Sequence, residues 1–217
     1  MGKENSTEEK CCVVSCDIPL GETFWNNQYE AKATGWDLGE VSPPLKAYID
    51  QLANKNLRIL IPGCGNTYEA EYLLQQGFTD VTVIDIAPTL VAQLKDKFAS
   101  HPHIKIILGD LFEHIGEYDL ILEQTFFCAI NPPLRNDYVA KMNELLALNG
   151  RLVGVLFNRE FEQHGPPFGG CKCQYEPMFE KNFTFKTFEL CHNSFVKRAG
   201  TELFINLQKK QHDKNHV

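Results

Sequence analysis

Short apolar runs alternate with amphipathic stretches through most of the chain. Runs rich in β-branched and aliphatic residues predict strands at 57–61, 81–86, 104–108, 118–124 and 151–157. Apolar residues at helical spacing predict helices at 45–52, 67–77, 88–100 and 134–148. Because helices lie between most of the strands, the strands should run parallel in a doubly wound, Rossmann-like α/β sheet.

The pattern changes after Phe157. Residues 158–177 contain His164, several glycines and three prolines, which is typical of a loop, and we interpret 158–175 as a flap over a substrate site. Two further strand candidates, 183–190 and 202–208, predict an antiparallel pair at one edge, which gives about seven strands.

The length of 217 residues, 43% of them hydrophobic, suits one core rather than two. We assign residues 24–210 to a single domain, with 1–23 as a mobile N-terminal segment and 211–217 as a tail. Within the domain, residues 24–52 begin with aromatic side chains and end in the first helix, which the pair Pro43-Pro44 opens.

The charge balance narrows the class of partner. The formal net charge is −7, which argues against nucleic acid, because binding to phosphates depends on Lys and Arg. No apolar run reaches the roughly 18 to 20 residues of a membrane span, and the first residues lack the apolar core of a signal peptide. We therefore expect a cytoplasmic protein with a small-molecule substrate; the sequence does not indicate its oligomeric state.

The chain has eight cysteines. Cys64 and Cys128 fall in segments predicted to be buried, so free thiols are expected rather than disulfides. The group Cys11, Cys12 and Cys16, with Cys171 and Cys173 later, is the alternative of a zinc site. Neither spacing is C-x2-C and no histidine lies at a ligand offset, so no metal is predicted.

The turn after the first strand carries the first candidate chemistry. Gly63 and Gly65 allow a ligand to approach the backbone closely. A dinucleotide fold needs a third glycine where this chain has Tyr68, so a pyrophosphate cofactor is disfavoured and an adenosine ligand without phosphates fits better.

Carboxylates follow the next two strands. Asp85 ends the second strand, 20 residues after Gly65, where a carboxylate can accept hydrogen bonds from both ribose hydroxyls. Asp110 follows the third strand and can meet the edge of an adenine, while Leu111 or Phe112 can pack on its ring. An acidic residue that only caps a helix is the alternative at each position.

Several longer stretches resemble the thiopurine methyltransferase family, and most of all its halide/thiol (thiocyanate) methyltransferase branch. They are FWNNQYEAKATGWDLGEVSPPL, ILIPGCGNTYEAEYL, VTVIDIAP, GDLF, TFFCAINPPLRNDYVAKMNELLALNGRL and GPPF at 165–168. The resemblance runs from Phe24 to about Gln208. It implies a class I S-adenosylmethionine-dependent methyltransferase fold with an N-terminal lid.

The resemblance also implies where the cofactor lies. A lid from Trp25 to Trp36, including Tyr29, would cover S-adenosylmethionine, with the methionine part near Gly63 and the ribose on Asp85. The adenine would lie near Asp110, Leu111 and Phe112, and Gln124 would lie beside the cofactor. Relatives often carry Trp in place of Tyr29 and Arg or Tyr in place of Gln124, and either difference alters the wall of the pocket.

The expected acceptor is a small soft nucleophile: a thiol, thiopurine, hydrosulfide, thiocyanate or halide. Such an acceptor needs an apolar pocket and in-line geometry rather than a base, and the candidate pocket residues are Phe127, Cys128, His164 and Phe168. No catalytic residue is assigned; Tyr29 or His164 would assist a protonated acceptor.

Each of these residues also has a purely structural alternative. The tryptophans can be core aromatics, Phe127 and Cys128 can pack beneath the pocket, His164 can be an exposed loop residue, and Arg135 can cap or pair locally. Alternative functions are methylation of an oxygen or nitrogen acceptor, a nicotinamide-dependent oxidoreductase, and a non-catalytic adenosine-binding module.

Overall fold

The computed structural model describes residues 18–211. Its strands are β1 (Ile59–Pro62), β2 (Val81–Asp85), β3 (Ile104–Leu108), β4 (Tyr118–Gln124), β5 (Leu146–Phe157), β6 (Phe183–Leu190) and β7 (Glu202–Lys209). Its helices are α1 (Glu22–Glu30), α2 (Pro43–Ile49), α3 (Tyr68–Gln75), α4 (Pro88–Lys97), α5 (Arg135–Leu145) and α6 (Lys172–Glu180). Short 3-10 turns occupy Leu111–Glu113, Pro132–Leu134 and Val196–Arg198.

All seven strands belong to one sheet, in the order β3-β2-β1-β4-β5-β7-β6. The first five strands pair in parallel, and β7 pairs antiparallel with both β5 and β6. The predicted doubly wound, mostly parallel sheet with an antiparallel edge pair is therefore confirmed. The strand order reverses between β1 and β4, and a ligand crevice is expected at the carboxyl ends there.

The sheet is buried on both faces, which explains its continuous apolar strands. Neighbouring residues of β1 face opposite sides: Leu60 packs in a core with α5 and α6, whereas Ile59 and Ile61 pack in a second core with α2, α3 and α4. The two layers of helices hold the sheet rigid, so that the loops after its strands are presented from a fixed frame.

Three differences from the prediction go beyond shifts of a few residues at the end of an element. Helix α1 was not predicted. None of its residues is fully buried, and a helix without a buried face needs no apolar periodicity in its sequence. Strand β5 begins at Leu146, so the predicted helix 134–148 is too long. Helix α6 begins at Lys172, inside the predicted flap; its buried Tyr175 and Phe179 are spaced for a helix, but Pro177 and the preceding glycines concealed it.

The expectation of free thiols was wrong for one pair. Cys171 and Cys173 form a disulfide at the start of α6, while Cys64, Cys128 and Cys191 are free and buried. Cys11, Cys12 and Cys16, most of the predicted N-terminal segment and nearly all of the predicted tail lie outside the described residues. Within 18–211, no helix is long and apolar enough to cross a membrane.

Candidate active site

A cavity of about 890 Å³ opens at the carboxyl ends of the parallel strands. Its walls come from the residues that end or follow β1 to β5, from the segment around α1, and from the loop that precedes β7. This is the crevice that the reversal of strand order predicts.

The turn after β1 forms the floor of the cavity. Gly63 and Gly65 have φ angles of 53° and 51°, which is the left-handed region that favours glycine. The side chain of Asp85, buried at the end of β2, accepts hydrogen bonds from the amides of Gly65 (3.2 Å) and Ala87 (3.0 Å). Burial raises the pKa of Asp85, and these backbone donors oppose the rise. The carboxylate is thereby fixed in orientation at the cavity wall.

The residues after β3 form the next part of the wall. Asp110 Oδ1 accepts a 2.9 Å hydrogen bond from the Phe112 amide and so caps the turn Leu111–Glu113. Leu111 is buried and Phe112 is half-buried, and all three residues line the cavity. The capping role and a position on the cavity wall are thus both present at Asp110.

Aromatic residues of α1 and of the segment after it cover the cavity. The ring of Trp36 makes edge contacts with Trp25 (5.6 Å between centroids) and Tyr29 (5.9 Å). All three line the cavity and none is fully buried. Burial, followed by the nearby carboxylate of Asp85, raises the pKa of Tyr29, so its hydroxyl stays protonated.

Hydrogen bonds at three positions, Asn26, Trp36 and Asp37, join this aromatic cover to the rest of the protein. Asn26 Oδ1 accepts from the Thr89 amide at 2.8 Å, which ties α1 to the first turn of α4. Asp37 accepts hydrogen bonds from the Asn66 side chain and from the Tyr68 hydroxyl. From the other side, Arg198 Nη2 donates to the Trp36 carbonyl at 2.8 Å.

The loop after β4 is organised by a buried carboxylate. Glu123 is 0% exposed; its Oε1 accepts from the amides of Phe126 (2.7 Å) and Phe127 (2.9 Å), and its Oε2 from the Tyr138 hydroxyl (2.6 Å). Burial raises the pKa of Glu123 to about 7, although these donors favour the anion. The contacts hold Thr125 at a φ of 61° and direct Phe126 toward the glycine turn.

Gln124 and Cys128 bring polar atoms to the same wall. Gln124 Oε1 accepts from the Thr125 hydroxyl at 2.6 Å, while its Nε2 is buried and has no hydrogen-bond partner within residues 18–211. Cys128 Sγ donates to the Thr125 carbonyl at 3.1 Å. Burial raises the pKa of the Cys128 thiol to about 12, so it is not a nucleophile at neutral pH.

Arg135 joins the β4 loop to the segment after β5. It is 1% exposed, and its Nη2 donates to the carbonyls of Phe168 (3.2 Å) and Gly169 (3.0 Å). Its guanidinium lies over the rings of Phe127 (4.7 Å) and Tyr175 (5.4 Å). Arg135 is the first residue of α5, as expected, but the expectation that its guanidinium caps or pairs locally was wrong, because its acceptors lie 33 and 34 positions away.

Most of the predicted site residues line one cavity: Trp25, Tyr29, Trp36, Gly63, Gly65, Asp85, Asp110, Leu111, Phe112, Gln124 and Cys128. Three predicted pocket residues are not among the described residues that line it. Phe127 and Phe168 are buried beneath the wall, and His164 is exposed. The wall also contains Phe157, Phe161 and Arg198, which no sequence pattern had singled out.

The sheet and the cavity have the form of the class I S-adenosylmethionine-dependent methyltransferases. Among solved structures, the chain is similar to 1,6-didemethyltoxoflavin-N1-methyltransferase of Burkholderia thailandensis, crystallised with S-adenosylhomocysteine. The TM-score is 0.72 at 17% identity, over 92% of this chain and 95% of that one. At this identity the likeness shows the fold.

Sequence comparison identifies the family. A profile of the thiopurine S-methyltransferase family matches residues 20–211, so the chain belongs to that family and is an S-adenosylmethionine-dependent methyltransferase. It is 32% identical to "Probable thiol methyltransferase 2" of Arabidopsis thaliana, over 71% of this chain and 70% of that protein. It is 27% identical to "Thiocyanate methyltransferase 1" of Brassica oleracea, over 83% and 82%.

Proposed function

We propose that this protein methylates a small soft nucleophile, such as a thiol, thiopurine, hydrosulfide, thiocyanate or halide, by in-line displacement. The observation that carries the proposal is a single cavity that joins the buried Asp85 and the glycine turn to an aromatic wall formed by Trp36, Phe126 and Phe157. The names of the family and of its relatives support the same class of acceptor.

The residues at one end of the cavity fit the cofactor. Asp85 already accepts two backbone hydrogen bonds and has lone pairs left for two ribose hydroxyls. Leu111 and Phe112 would pack on an adenine, and the unpartnered Nε2 of Gln124 would gain an acceptor. When bound, S-adenosylmethionine supplies a methyl group on a positively charged sulfur.

The protein's own contribution would be positioning and the exclusion of water. The aromatic cover from Trp25 to Trp36 would serve as a lid, and residues 158–175 would serve as a flap. Tyr29 and Cys128 line the cavity but stay protonated near neutral pH, so neither is suited to act as a base. An acceptor that ionises on its own needs no such base, which favours soft anions over alcohols and amines.

The test is an acceptor screen with the purified protein and S-adenosylmethionine carrying a labelled methyl group. Thiophenol, a thiopurine, hydrosulfide, thiocyanate and iodide are compared with catechol and benzylamine. We expect methyl transfer to the sulfur and halide acceptors, with a pH profile that follows ionisation of the acceptor. Higher activity on catechol or benzylamine would contradict the proposal, and cofactor binding without transfer to any acceptor would favour an adenosine-binding module.

A further inference from the structure

Carboxylates and cations are concentrated on different parts of the cavity wall, although Arg198 is close enough to Glu69 to lower the pKa of that carboxyl against the larger rise caused by burial. The half formed by β2, β3, α3 and the aromatic cover carries carboxylates, namely Asp37, Glu40, Glu69, Asp85 and Asp110. The part of the wall formed by residues just after the end of β5 and by the loop before β7 carries three cations: Arg159, Lys197 and Arg198. In a chain with a net charge of −7, three cations at one end of a cavity form a candidate site for a ligand of opposite charge, with one of them, Arg198, also paired to the buried Glu202.

The positions of the strands explain the separation. Asp85 ends β2, and Phe157 ends β5, where it pairs with Glu202 of β7. The sheet order places β5 three strands from β2, or about 14 Å at the usual strand spacing. The loop that carries Arg198 therefore reaches the cavity at the end away from Asp85.

Arg198 is the most enclosed of the three cations. Its side chain is 11% exposed, whereas Arg159 and Lys197 are exposed. The guanidinium lies 5.2 Å from the centroid of the Phe157 ring, and it is held by Glu202 (3.4 Å) and by the Trp36 carbonyl (2.8 Å). Its orientation is thus fixed before any ligand binds, which lowers the entropic cost of binding.

The guanidinium has donors to spare. Two of its nitrogens, Nη1 and Nη2, make the contacts with Glu202 and Trp36, and an arginine carries five N–H donors in all. Its charge also reaches the acceptor wall, because Arg198 lowers the pKa of the Cys128 thiol against the larger rise caused by burial and by the carboxylate of Glu123. A negative sulfur near Cys128 is therefore favoured by the field of Arg198.

We propose that Arg198 binds the negative charge of the methyl acceptor and makes the site selective for anionic acceptors. The inference rests on the proposed function and assigns a residue to its substrate specificity. The same guanidinium holds the Trp36 carbonyl, so acceptor binding and the position of the aromatic cover are coupled through one side chain. The cofactor's methionine carboxylate is the other possible source of negative charge, and the experiment separates the two.

Tryptophan fluorescence gives a readout that does not depend on turnover. The chain has two tryptophans, Trp25 and Trp36, and both line the cavity. Iodide quenches indole on contact, so a bound iodide adds a saturable phase to the linear collisional phase. The titration is run with S-adenosylhomocysteine present and at constant ionic strength, which keeps screening equal across the series.

Three variants test the residue. We expect Arg198→Gln to raise the iodide dissociation constant about tenfold or more, as for loss of a charge-assisted contact. Arg198→Lys keeps the charge and should stay within about threefold of the wild type. Lys95→Gln, an exposed residue of α4 away from the cavity, makes the same change in net charge and should leave the constant unchanged.

Two further measurements distinguish a lost acceptor contact from a folding defect and from a lost cofactor contact. Because Arg198→Gln leaves the buried Glu202 without its partner, the double variant Arg198→Gln/Glu202→Gln is measured with it, and melting curves report folding. The affinity for S-adenosylhomocysteine is compared with that for 5′-methylthioadenosine, which lacks the amino-acid part. We expect the ratio of these two affinities to be unchanged by Arg198→Gln.

The outcomes are distinct. An unchanged iodide constant in folded Arg198→Gln and in the double variant overturns the proposal, and so does a selective loss of S-adenosylhomocysteine affinity, which would assign Arg198 to the cofactor's carboxylate. Saturable iodide binding that depends on Arg198, in a protein that methylates no acceptor in the screen, would support the anion site while the proposed function fails.

Discussion

Gly63 lies directly against the ring of Phe126. A Cβ atom at position 63 would lie 2.0 Å from Phe126 Cδ2, and the amide of Phe126 is itself held by the buried Glu123 at 2.7 Å. The turn expected to meet the cofactor and the loop expected to meet the acceptor are therefore packed together without space between them.

Gly63→Ala should disrupt this packing and weaken cofactor binding. Overpacking costs about 1 to 3 kcal/mol. If the cost is borne by the complex, the affinity for S-adenosylhomocysteine falls by roughly 5-fold to 150-fold. Calorimetric titration measures the effect. Gly77→Ala is the matched control, because Gly77 also has a positive φ, of 83°, but a Cβ there meets nothing within 4 Å.

The control separates backbone strain from the clash. Gly77→Ala should cost about 1 to 2 kcal/mol of stability with unchanged affinity. Adding Phe126→Ala to Gly63→Ala should recover part of the cofactor affinity. Equal affinities in wild type and Gly63→Ala would show that the contact with Phe126 has no bearing on the cofactor site.

Asp85→Asn should weaken S-adenosylhomocysteine binding by roughly 10-fold to 150-fold, as expected when charge-assisted hydrogen bonds of about 1.5 to 3 kcal/mol are lost. Asn keeps the shape of the side chain but only one acceptor oxygen, so one of the two amides, that of Gly65 or that of Ala87, also loses its acceptor. Asp80→Asn, an exposed change at the other end of the same strand, should have no effect. Equal binding by Asp85→Asn and Asp80→Asn would remove Asp85 from the site.

Trp36→Ala should reduce the free energy of cofactor binding by more than it reduces the free energy of unfolding. Trp36 is half-buried and contacts aromatic residues that are themselves not fully buried. Loss of an aromatic face near a sulfonium corresponds to about 1 to 2 kcal/mol, or roughly 5-fold to 30-fold in S-adenosylmethionine affinity. Phe179→Ala, at a side chain with 0% exposure, should instead cost about 3 to 5 kcal/mol of stability.

Hydrogen exchange across residues 22–40 completes the test of the lid. We expect faster exchange in the free protein than in the complex with S-adenosylhomocysteine, because α1 has no fully buried residue to hold it. Equal protection in both states, together with a collapsed melting temperature in Trp36→Ala, would identify these aromatics as core residues instead.

Glu123 should make stability depend on pH. Its pKa is about 7 in the folded protein and roughly 4.3 in an unfolded chain, so the native state binds the proton more tightly. The stability from the protonated form is fully present below about pH 4.3 and is lost as the pH rises to about 7, a change on the order of 2 to 4 kcal/mol.

Urea denaturation between pH 4 and 8 measures this effect. The free energy of unfolding of the wild type should fall relative to that of Glu123→Gln as the pH rises through that window. Glu113→Gln, at an exposed position, should follow the wild type. Parallel curves for the wild type and Glu123→Gln would show that Glu123 does not titrate there.

The sequence predicted the sheet because each strand is a short apolar run and most of the helices between the strands have apolar residues at helical spacing. Asp85 and Gly63 were also predictable, since both positions follow from the ends of consecutive parallel strands. Arg198 was not, because its contact with Trp36 joins residues 162 positions apart and no local spacing encodes it. Arg135 and Glu123 were missed for a related reason, since burial of a charged side chain depends on partners that only the fold supplies.

A thiol acceptor can reduce the Cys171–Cys173 disulfide by thiol–disulfide exchange. A thiol acceptor in excess is also a reductant: two acceptor thiols become a disulfide as the pair at the start of α6 becomes a dithiol. Iodide and thiocyanate lack the thiol needed for this exchange. A ranking of acceptors therefore compares two covalent forms of the enzyme unless Cys171 and Cys173 are first replaced by serine.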